Sequence, residues 1–545
     1  MQDNRTDADI IVVGAGINGL GIAADAAARG LTVVVLEKDD LCSGVSAWSG
    51  RLVHGGLRYL EHYDFALVRE SLKERERLFR NAPHLVKPVR LLMPQFKHNR
   101  RPSWLIRLGM IAYDVLSFDK KTARHEVLSL KETLRRFPGI AQDGLTGSFV
   151  FTDGQVEYAE RLCVEVALQA VRSGAVIRTK AKVDRAVIEG GRVVGVGFTD
   201  TRTGEQGEVR APVVLNVAGP WIDRILGPEA PQQPRLNGGT KGSHLIVDRF
   251  PGSPTDVVYY ESRSDGRLVL VIPWMGRYLI GTTDRRFDDD PDGARCDADE
   301  LEYLLTEVNE LVPDAHLTPD DVLFTYSGVR PLPYAPDVSE WEVPRSHVLH
   351  DHAPSLPGLV TVVGGKLTTY RQLAEDAVDD AFRRLGRTAP PCGTKDRALP
   401  GAVADSSALV ARLMSGGVSE RTAYRLVALY GSRAEAVVDL GCKDPSLLSV
   451  LHEPTGALEA ELVLAVREEL ATTLTDVLAR RLLLAFEPGH GYESVDRAVT
   501  RLSDLLGWDE AEQQAQIVEY RAWVDRLSVP LAVHAGSASS LESPA

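Results

Sequence analysis

Gly14, Gly16, Gly19 and Glu37 have the types and spacing of a site for a nucleotide diphosphate and a ribose diol. Gly14 permits a tight turn, Gly16 lets a diphosphate approach the backbone, and Gly19 lets a helix pack closely on a sheet. Glu37 stands where a carboxylate accepts hydrogen bonds from ribose hydroxyls. Three elements must position these residues. Ile10-Ile11-Val12-Val13 reads as a buried strand, Leu20 to Arg29 as an alanine-rich helix, and Val33-Val34-Val35-Leu36, after Gly30, as a second strand ending at Glu37. The diphosphate then meets N–H groups at a helix N-terminus, where the dipole favours negative charge. A lone glycine turn would carry little weight. With both strands, the helix and the terminal acid in place, the pattern predicts a bound dinucleotide.

Size and charge narrow the class. A chain of 545 residues is long enough for several domains, and its 44% apolar and 25% charged residues are those of a globular protein. A net charge of −14 argues against general nucleic-acid binding, which needs a basic face. The five cysteines (Cys42, Cys163, Cys296, Cys392, Cys442) lie far apart with no metal-ligand spacing, which fits reduced thiols in the cytoplasm. Met1 to Asp9 is polar and acidic, and no run reaches the length of a transmembrane helix. A cytoplasmic protein is expected, either free or peripheral on the inner face of the cell membrane.

Strand-like runs alternate with glycine turns and helices up to about residue 390, among them Val193 to Phe198, Val213 to Val217, Leu268 to Pro273 and Val360 to Val363. After Thr388-Ala389-Pro390-Pro391 the pattern turns helical and amphipathic, for instance over Leu458 to Ala471 and Leu474 to Ala485. The expected organisation is a mixed strand-and-helix region over residues 1–390, a helical domain over 391–530, and a disordered tail over 531–545. Distant small-residue turns at Ser43 to Arg51, Asn216 to Trp221 and Val362 to Lys366 suit a long cofactor crossed by several segments, which favours FAD over NAD.

The segments GAGINGLGIAADAAARG (14–30), SGRLVHGGLRYLEHYDF (49–65), NVAGPW (216–221), KGSHLIV (241–247), IPWMGRYLIGTTD (272–284), SGVRPL (327–332) and GGKLTTYR (364–371) closely resemble those of the FAD-dependent, respiratory-type glycerol-3-phosphate dehydrogenases. One departure is Arg51, where a lysine is expected. It keeps the charge and changes the donor geometry. The resemblance implies an α/β fold: a Rossmann-like FAD-binding domain interleaved with an antiparallel-sheet substrate domain, plus a helical C-terminal domain. It implies oxidation of glycerol 3-phosphate to dihydroxyacetone phosphate, hydride passing from C2 to flavin N5, and electrons passing to a quinone. An oxidase handing electrons to O₂, and a related amino-acid or hydroxy-acid oxidase, are the alternatives. A homodimer is expected.

Such a reaction needs fixed cations for the phosphate and a base for the hydroxyl proton. His54-Gly55-Gly56-Leu57-Arg58-Tyr59 offers an imidazole, a guanidinium and a phenol. Arg330 offers a second guanidinium, and Gly365-Lys366-Leu367-Thr368 an ammonium and a hydroxyl. His54, Arg330 and Lys366 are the candidate catalytic residues, with Arg58, Tyr59, Arg330, Lys366 and Thr368 binding substrate. The cofactor is assigned to Gly14, Gly16, Ile17, Asn18, Gly19, Glu37, Lys38, Ser46, Ser49, Gly219, Thr283, Gly365 and Thr368. Bland alternatives stand beside these: a salt bridge from Arg58 to Glu61, a satisfied turn histidine at His54, a strand cap at Arg330, a flavin contact at Lys366. Lys241 and His244 lie on a strand that could line the same cavity. Finally, Lys97-His98-Asn99-Arg100-Arg101 leads into Trp104 to Tyr113, a basic cluster before an apolar helix. This is either a membrane-surface anchor or a domain-packing helix with a basic cap.

Overall fold

The computed structural model describes residues 6–57, 64–118, 122–228, 230–338, 343 and 345–530. Arg58, Tyr59 and the tail 531–545 lie outside the described residues.

The strand Ile10–Val13 lies inside a six-stranded sheet. The order across it is Val348–Asp351, Leu359–Val363, Val213–Asn216, Ile10–Val13, Val33–Leu36, Val176–Arg178. Every neighbouring pair is parallel except the one made by the edge strand Val348–Asp351. Parallel sheets are covered on both faces, and IIVV and VVVL are accordingly buried at every position. Alternation divides the two faces. Ile10 and Val12 join a core with Leu20 and Ala23 of the helix Ile17–Ala28. Ile11 and Val13 pack under Val183, Val196 and Val209 of a three-stranded antiparallel sheet, Ala181–Glu189, Arg192–Asp200 and Gln206–Arg210. The expected strands near 193, 213, 268 and 360 are all present.

The second sheet has ten strands, antiparallel except where Val257–Glu261 runs parallel to Val86–Phe96. Its strand Thr240–Val247 lies between Arg277–Gly281 and Val322–Arg330, with Thr240 opposite Arg330. Leu245 and Val247 face the helix Ala298–Leu311 in one core, so the odd positions of Thr240–Val247 point toward that helix and the even ones away from it.

Among the described residues from 406 to 530 the chain is helical apart from a small hairpin, Val450–His452 with Ala457–Leu458. The helix expected over Leu458 to Ala471 spans Glu459–Glu468. The amphipathic helix expected over Leu474 to Ala485 is replaced by a π-helical segment, Asp476–Arg481, and the chain turns at Leu483, where φ is +61°. Buried ion pairs accompany the change. Asp476, Arg480 and Arg481 are all buried, and both arginines meet Asp40 of the nucleotide-binding region, at 2.6 and 2.8 Å. Lys180 meets Asp476 at 3.1 Å. Leu409, Leu426, Val437 and Leu464 join the same core as Leu20 and Ala167, so the helical end shares its interior with the main body.

Candidate active site

The glycine turn folds as the local chemistry requires. Gly14 has φ of +107°, a region open to glycine, and a Cβ there would lie 2.7 Å from the Val217 carbonyl oxygen. A Cβ on Gly19 would lie 1.9 Å from the Gly14 carbonyl oxygen, so helix and strand could not approach as they do. Gly16 is the N-cap of the helix with no side-chain cap, and the Ile17 N–H donates to the Ser46 hydroxyl at 3.1 Å. The Glu37 carboxylate is buried and accepts from the main-chain N–H of Ala15 (2.7 Å) and Asp39 (2.9 Å). Burial nevertheless pushes its pKa up.

These groups open onto a cavity of about 450 Å³, lined among others by Gly14, Gly16, Asn18, Glu37, Ser46 and Gly219. Asn18 Oδ1 and Trp221 Nε1 belong to cavity-lining residues and are buried with no hydrogen-bond partner. A helix N-terminus, a buried carboxylate and two orphaned polar atoms fit the diphosphate, ribose and polar edges of a dinucleotide. Lys38 also lines the cavity, held to Asp292 at 2.7 Å and lying 3.8 Å over the Trp221 ring. The Ser49 carbonyl accepts from Tyr326, and the Thr283 hydroxyl donates to Glu300 while accepting from the Ser243 N–H.

Pro331 and Gly364 also line this cavity, and the Gly364 N–H donates to the Pro331 carbonyl at 2.8 Å. That bond brings the ends of two strands together, with Arg330 beside one residue and Lys366 near the other. Arg330 meets Asp284 at 2.9 Å and the Thr282 hydroxyl at 3.0 Å, and Arg345 meets the other oxygen of Asp284 at 3.3 Å. A Cβ on Gly242 would lie 2.2 Å from the Arg330 guanidinium, so glycine there leaves room for the side chain to lie across the sheet. Gly364 and Gly365 have φ of +82° and +94° and form the turn that presents Lys366. Burial pushes the Lys366 ammonium down to about 7, with Glu70 and Asp64 opposing that shift and Arg345 adding to it.

Gly365 abuts the Asn18 side chain, and the Thr368 hydroxyl accepts from the His54 N–H at 3.2 Å. His54, Lys366 and Thr368, far apart in the chain, therefore lie near one another, while Arg330 precedes Pro331 and Lys366 follows Gly364 of the cavity wall. Burial holds the His54 imidazole below its ordinary value. Asp153 opposes this, and Lys366 and Arg75 reinforce it.

Lys241 and His244 do not share the cavity. They are three residues apart on a strand, which puts them on opposite faces. Lys241 is tied to Asp297 and Glu300 at 2.9 and 3.0 Å on the helix-covered face. His244 is buried on the other face against Tyr326, its ring centroid 4.9 Å away, and burial with the Arg330 and Arg51 charges pushes it down to about 3. Arg51, the departure from the expected lysine, is fully buried with both guanidinium nitrogens on Glu160, at 2.5 and 2.8 Å. Its work is structural.

Sequence reasoning missed Asp284, Arg345, Asp153 and Tyr113. Asp284 closes the quoted run ending in GTTD and could have been found there. Arg345 stands in no motif and has no such signal.

A family model described as FAD dependent oxidoreductase matches residues 9–371, and one described as the C-terminal domain of alpha-glycerophosphate oxidase matches residues 392–513. A glycerol-3-phosphate dehydrogenase of Synechocystis sp. is 41% identical, covering 96% of this chain and 98% of that protein. An aerobic glycerol-3-phosphate dehydrogenase of Staphylococcus aureus is 32% identical over 94% of this chain and 93% of its own length. Among solved structures, the glycerol-3-phosphate dehydrogenase of Bacillus halodurans complexed with FAD superposes with a TM-score of 0.78 at 28% identity, covering 97% of this chain and 96% of that one.

Proposed function

Because the chain belongs to the FAD-dependent glycerol-3-phosphate dehydrogenase family, we propose that it oxidises sn-glycerol 3-phosphate to dihydroxyacetone phosphate and hands the electrons to a quinone. The observation that carries this reading is the placement of Arg330 and Lys366 next to Pro331 and Gly364 of the cavity wall, with His54 bonded to Thr368 and close to Lys366.

Bound FAD supplies the hydride acceptor, at its N5 atom, for the hydrogen on substrate C2. Arg330, steadied by Asp284, presents a planar fork to the phosphate, and Lys366 a point charge. Burial alone leaves Lys366 only partly charged near neutrality. A phosphate dianion beside it favours the ammonium, so substrate binding completes the site. Burial keeps the His54 imidazole neutral, and a ring nitrogen takes the proton from the C2 hydroxyl as the hydride leaves. The hydroxyl proton would go to His54, and the C2 hydrogen with its two electrons to FAD when it is bound. Arg58 and Tyr59 complete the proposed substrate contacts on sequence grounds.

The quinone reading draws support from the helix Ser103–Leu116. It buries Ile106, Met110 and Tyr113 and exposes Trp104, Leu105, Leu108, Ile111 and Val115, with Trp104 at 64%. No helix among the described residues is long and apolar enough to cross a membrane. An apolar face of this kind suits docking on a membrane surface. The basic cluster before it is less free than expected, since Arg101 is bound to Glu261 at 2.8 Å. A homodimer remains part of the proposal on sequence grounds alone.

Anaerobic addition of glycerol 3-phosphate to the purified protein should bleach the flavin, and a short-chain quinone should restore the colour faster than O₂ does. Failure to bleach would overturn the substrate assignment. Fast reoxidation by O₂ with stoichiometric peroxide would replace the quinone by oxygen.

A further inference from the structure

The turn that carries His54 has little local restraint. Gly55 and Gly56 follow the histidine, and Gly56 has φ of +74°. Hydrogen bonds from distant elements hold it in place. The Gly55 N–H is shared between the Tyr113 hydroxyl oxygen at 3.0 Å and Asp153 Oδ1 at 3.2 Å. Tyr113 donates its own hydroxyl to the same carboxylate, 2.7 and 2.9 Å from its two oxygens, and Arg75 meets that carboxylate at 2.5 Å. Tyr113, Asp153 and Arg75 are all buried, at 2%, 1% and 0% exposure, so this polar cluster is closed to solvent. The fit is tight, because a Cβ on Gly55 would lie 2.3 Å from the Tyr113 hydroxyl oxygen and 2.5 Å from Leu72.

We propose that Tyr113 and Asp153 are positioning residues for the reaction, fixing through the Gly55 N–H the turn that presents His54. The proposal rests on the reading of His54 as the base. An ion pair serving packing alone would need only Asp153 and Arg75. Here the phenol adds a hydroxyl that both donates to Asp153 and accepts from the turn, so two side chains from two elements converge on one main-chain N–H beside the histidine, and Arg75 holds the carboxylate. A base must lie within hydrogen-bond reach of the proton it takes, and displacement of about 1 Å can cost on the order of 100-fold in rate. Asp153 has a second effect. Its negative charge favours the imidazolium, against burial and the cations Lys366 and Arg75, so it sets the proton affinity of His54 as well as its place. Tyr113 also ties the turn to the inner side of the helix Ser103–Leu116, so displacement of that helix is passed to Gly55.

Tyr113→Phe keeps the ring and removes the hydroxyl. In stopped-flow reduction of the holoenzyme by glycerol 3-phosphate, the limiting rate constant should fall about tenfold, while the substrate dissociation constant moves less than about twofold and flavin content stays as in the wild type. Asp153→Asn should move the midpoint of the pH dependence of reduction to lower pH, because a charge favouring the imidazolium is lost. Should Asp153→Asn fail to fold, the Tyr113→Phe rates decide alone. A Tyr113→Phe limiting rate within about twofold of wild type would overturn the proposal. His54→Asn separates the two readings. If it is reduced at the wild-type rate, the base assignment fails, whereas a slow His54→Asn beside a normal Tyr113→Phe removes only the positioning role.

Discussion

At the diphosphate end of the cavity, residues 14 to 46 supply the turn, the helix N-terminus, the carboxylate and the capping hydroxyl from one stretch of chain. At the proposed substrate end, His54, Asp284, Arg330, Arg345 and Lys366 arrive from five separate segments. The first end works through main-chain geometry, where a Cβ at Gly14 or Gly19 would collide with a main-chain carbonyl oxygen. The second works through side-chain charge, with Arg330 and Arg345 both held by Asp284, distant from each in sequence. A backbone site should therefore fail all at once and a charge site in graded steps.

The largest effect is expected at the first end. Gly16→Val puts a branched side chain at the helix N-terminus where the diphosphate lies, and the protein should purify colourless. Retained flavin absorbance would mean that the cofactor lies elsewhere. At the second end, His54→Asn should slow flavin reduction by about 10²- to 10⁴-fold with the flavin spectrum unchanged. The folded His54 is held below the ordinary imidazole value of about 6.5 and acts as a base only when neutral. Wild-type reduction should therefore rise with pH through a midpoint below that value and level off above it, and a pH-independent rate would remove the imidazole from the mechanism.

Arg330→Ala and Lys366→Ala come next. Loss of one charged hydrogen bond costs about 1.5–3 kcal/mol, or roughly 10- to 100-fold in kcat/KM for glycerol 3-phosphate, with a far smaller loss for glycerol. Equal losses on both substrates would break the assignment of these cations to the phosphate. The smallest catalytic effect should follow changes on the outer face of Ser103–Leu116. Trp104, Leu108 and Ile111 replaced together by Ser should abolish sedimentation with lipid vesicles and leave reduction by glycerol 3-phosphate unchanged. Sedimentation persisting in that variant would make the helix an ordinary surface element.

The two ends also differed in how far the sequence disclosed them. Gly14, Gly19 and Glu37 occupy the places their spacing announced, because a positive φ and a close helix–strand contact are demands that neighbouring residues make on one another. The strands near 193, 213, 268 and 360 were legible as β-branched runs for the same local reason. Lys241 and His244 were misjudged as one lining because strand parity decides which face a residue takes, and the covering helix Ala298–Leu311 is remote in sequence. The helix expected over Leu474 to Ala485 failed similarly. Its apolar pattern is real, but two adjacent arginines reach the single carboxylate of Asp40, a contact no local pattern contains.

The sequence by itself determined that a dinucleotide binds behind Ile10–Val13, that the first 390 or so residues mix strands and helices, and that a helical end follows. All of these rest on interactions between residues near one another in the chain. Only the tertiary structure decided that Arg330 and Arg345 share Asp284, that Lys241 is spent on Asp297 and Glu300 and Arg51 on Glu160, and that Tyr113 and Asp153 bond the turn of His54. The physical reason is competition. A charged side chain serves a site only if no carboxylate elsewhere claims it first, and that is settled when strands, helices and their buried partners come together.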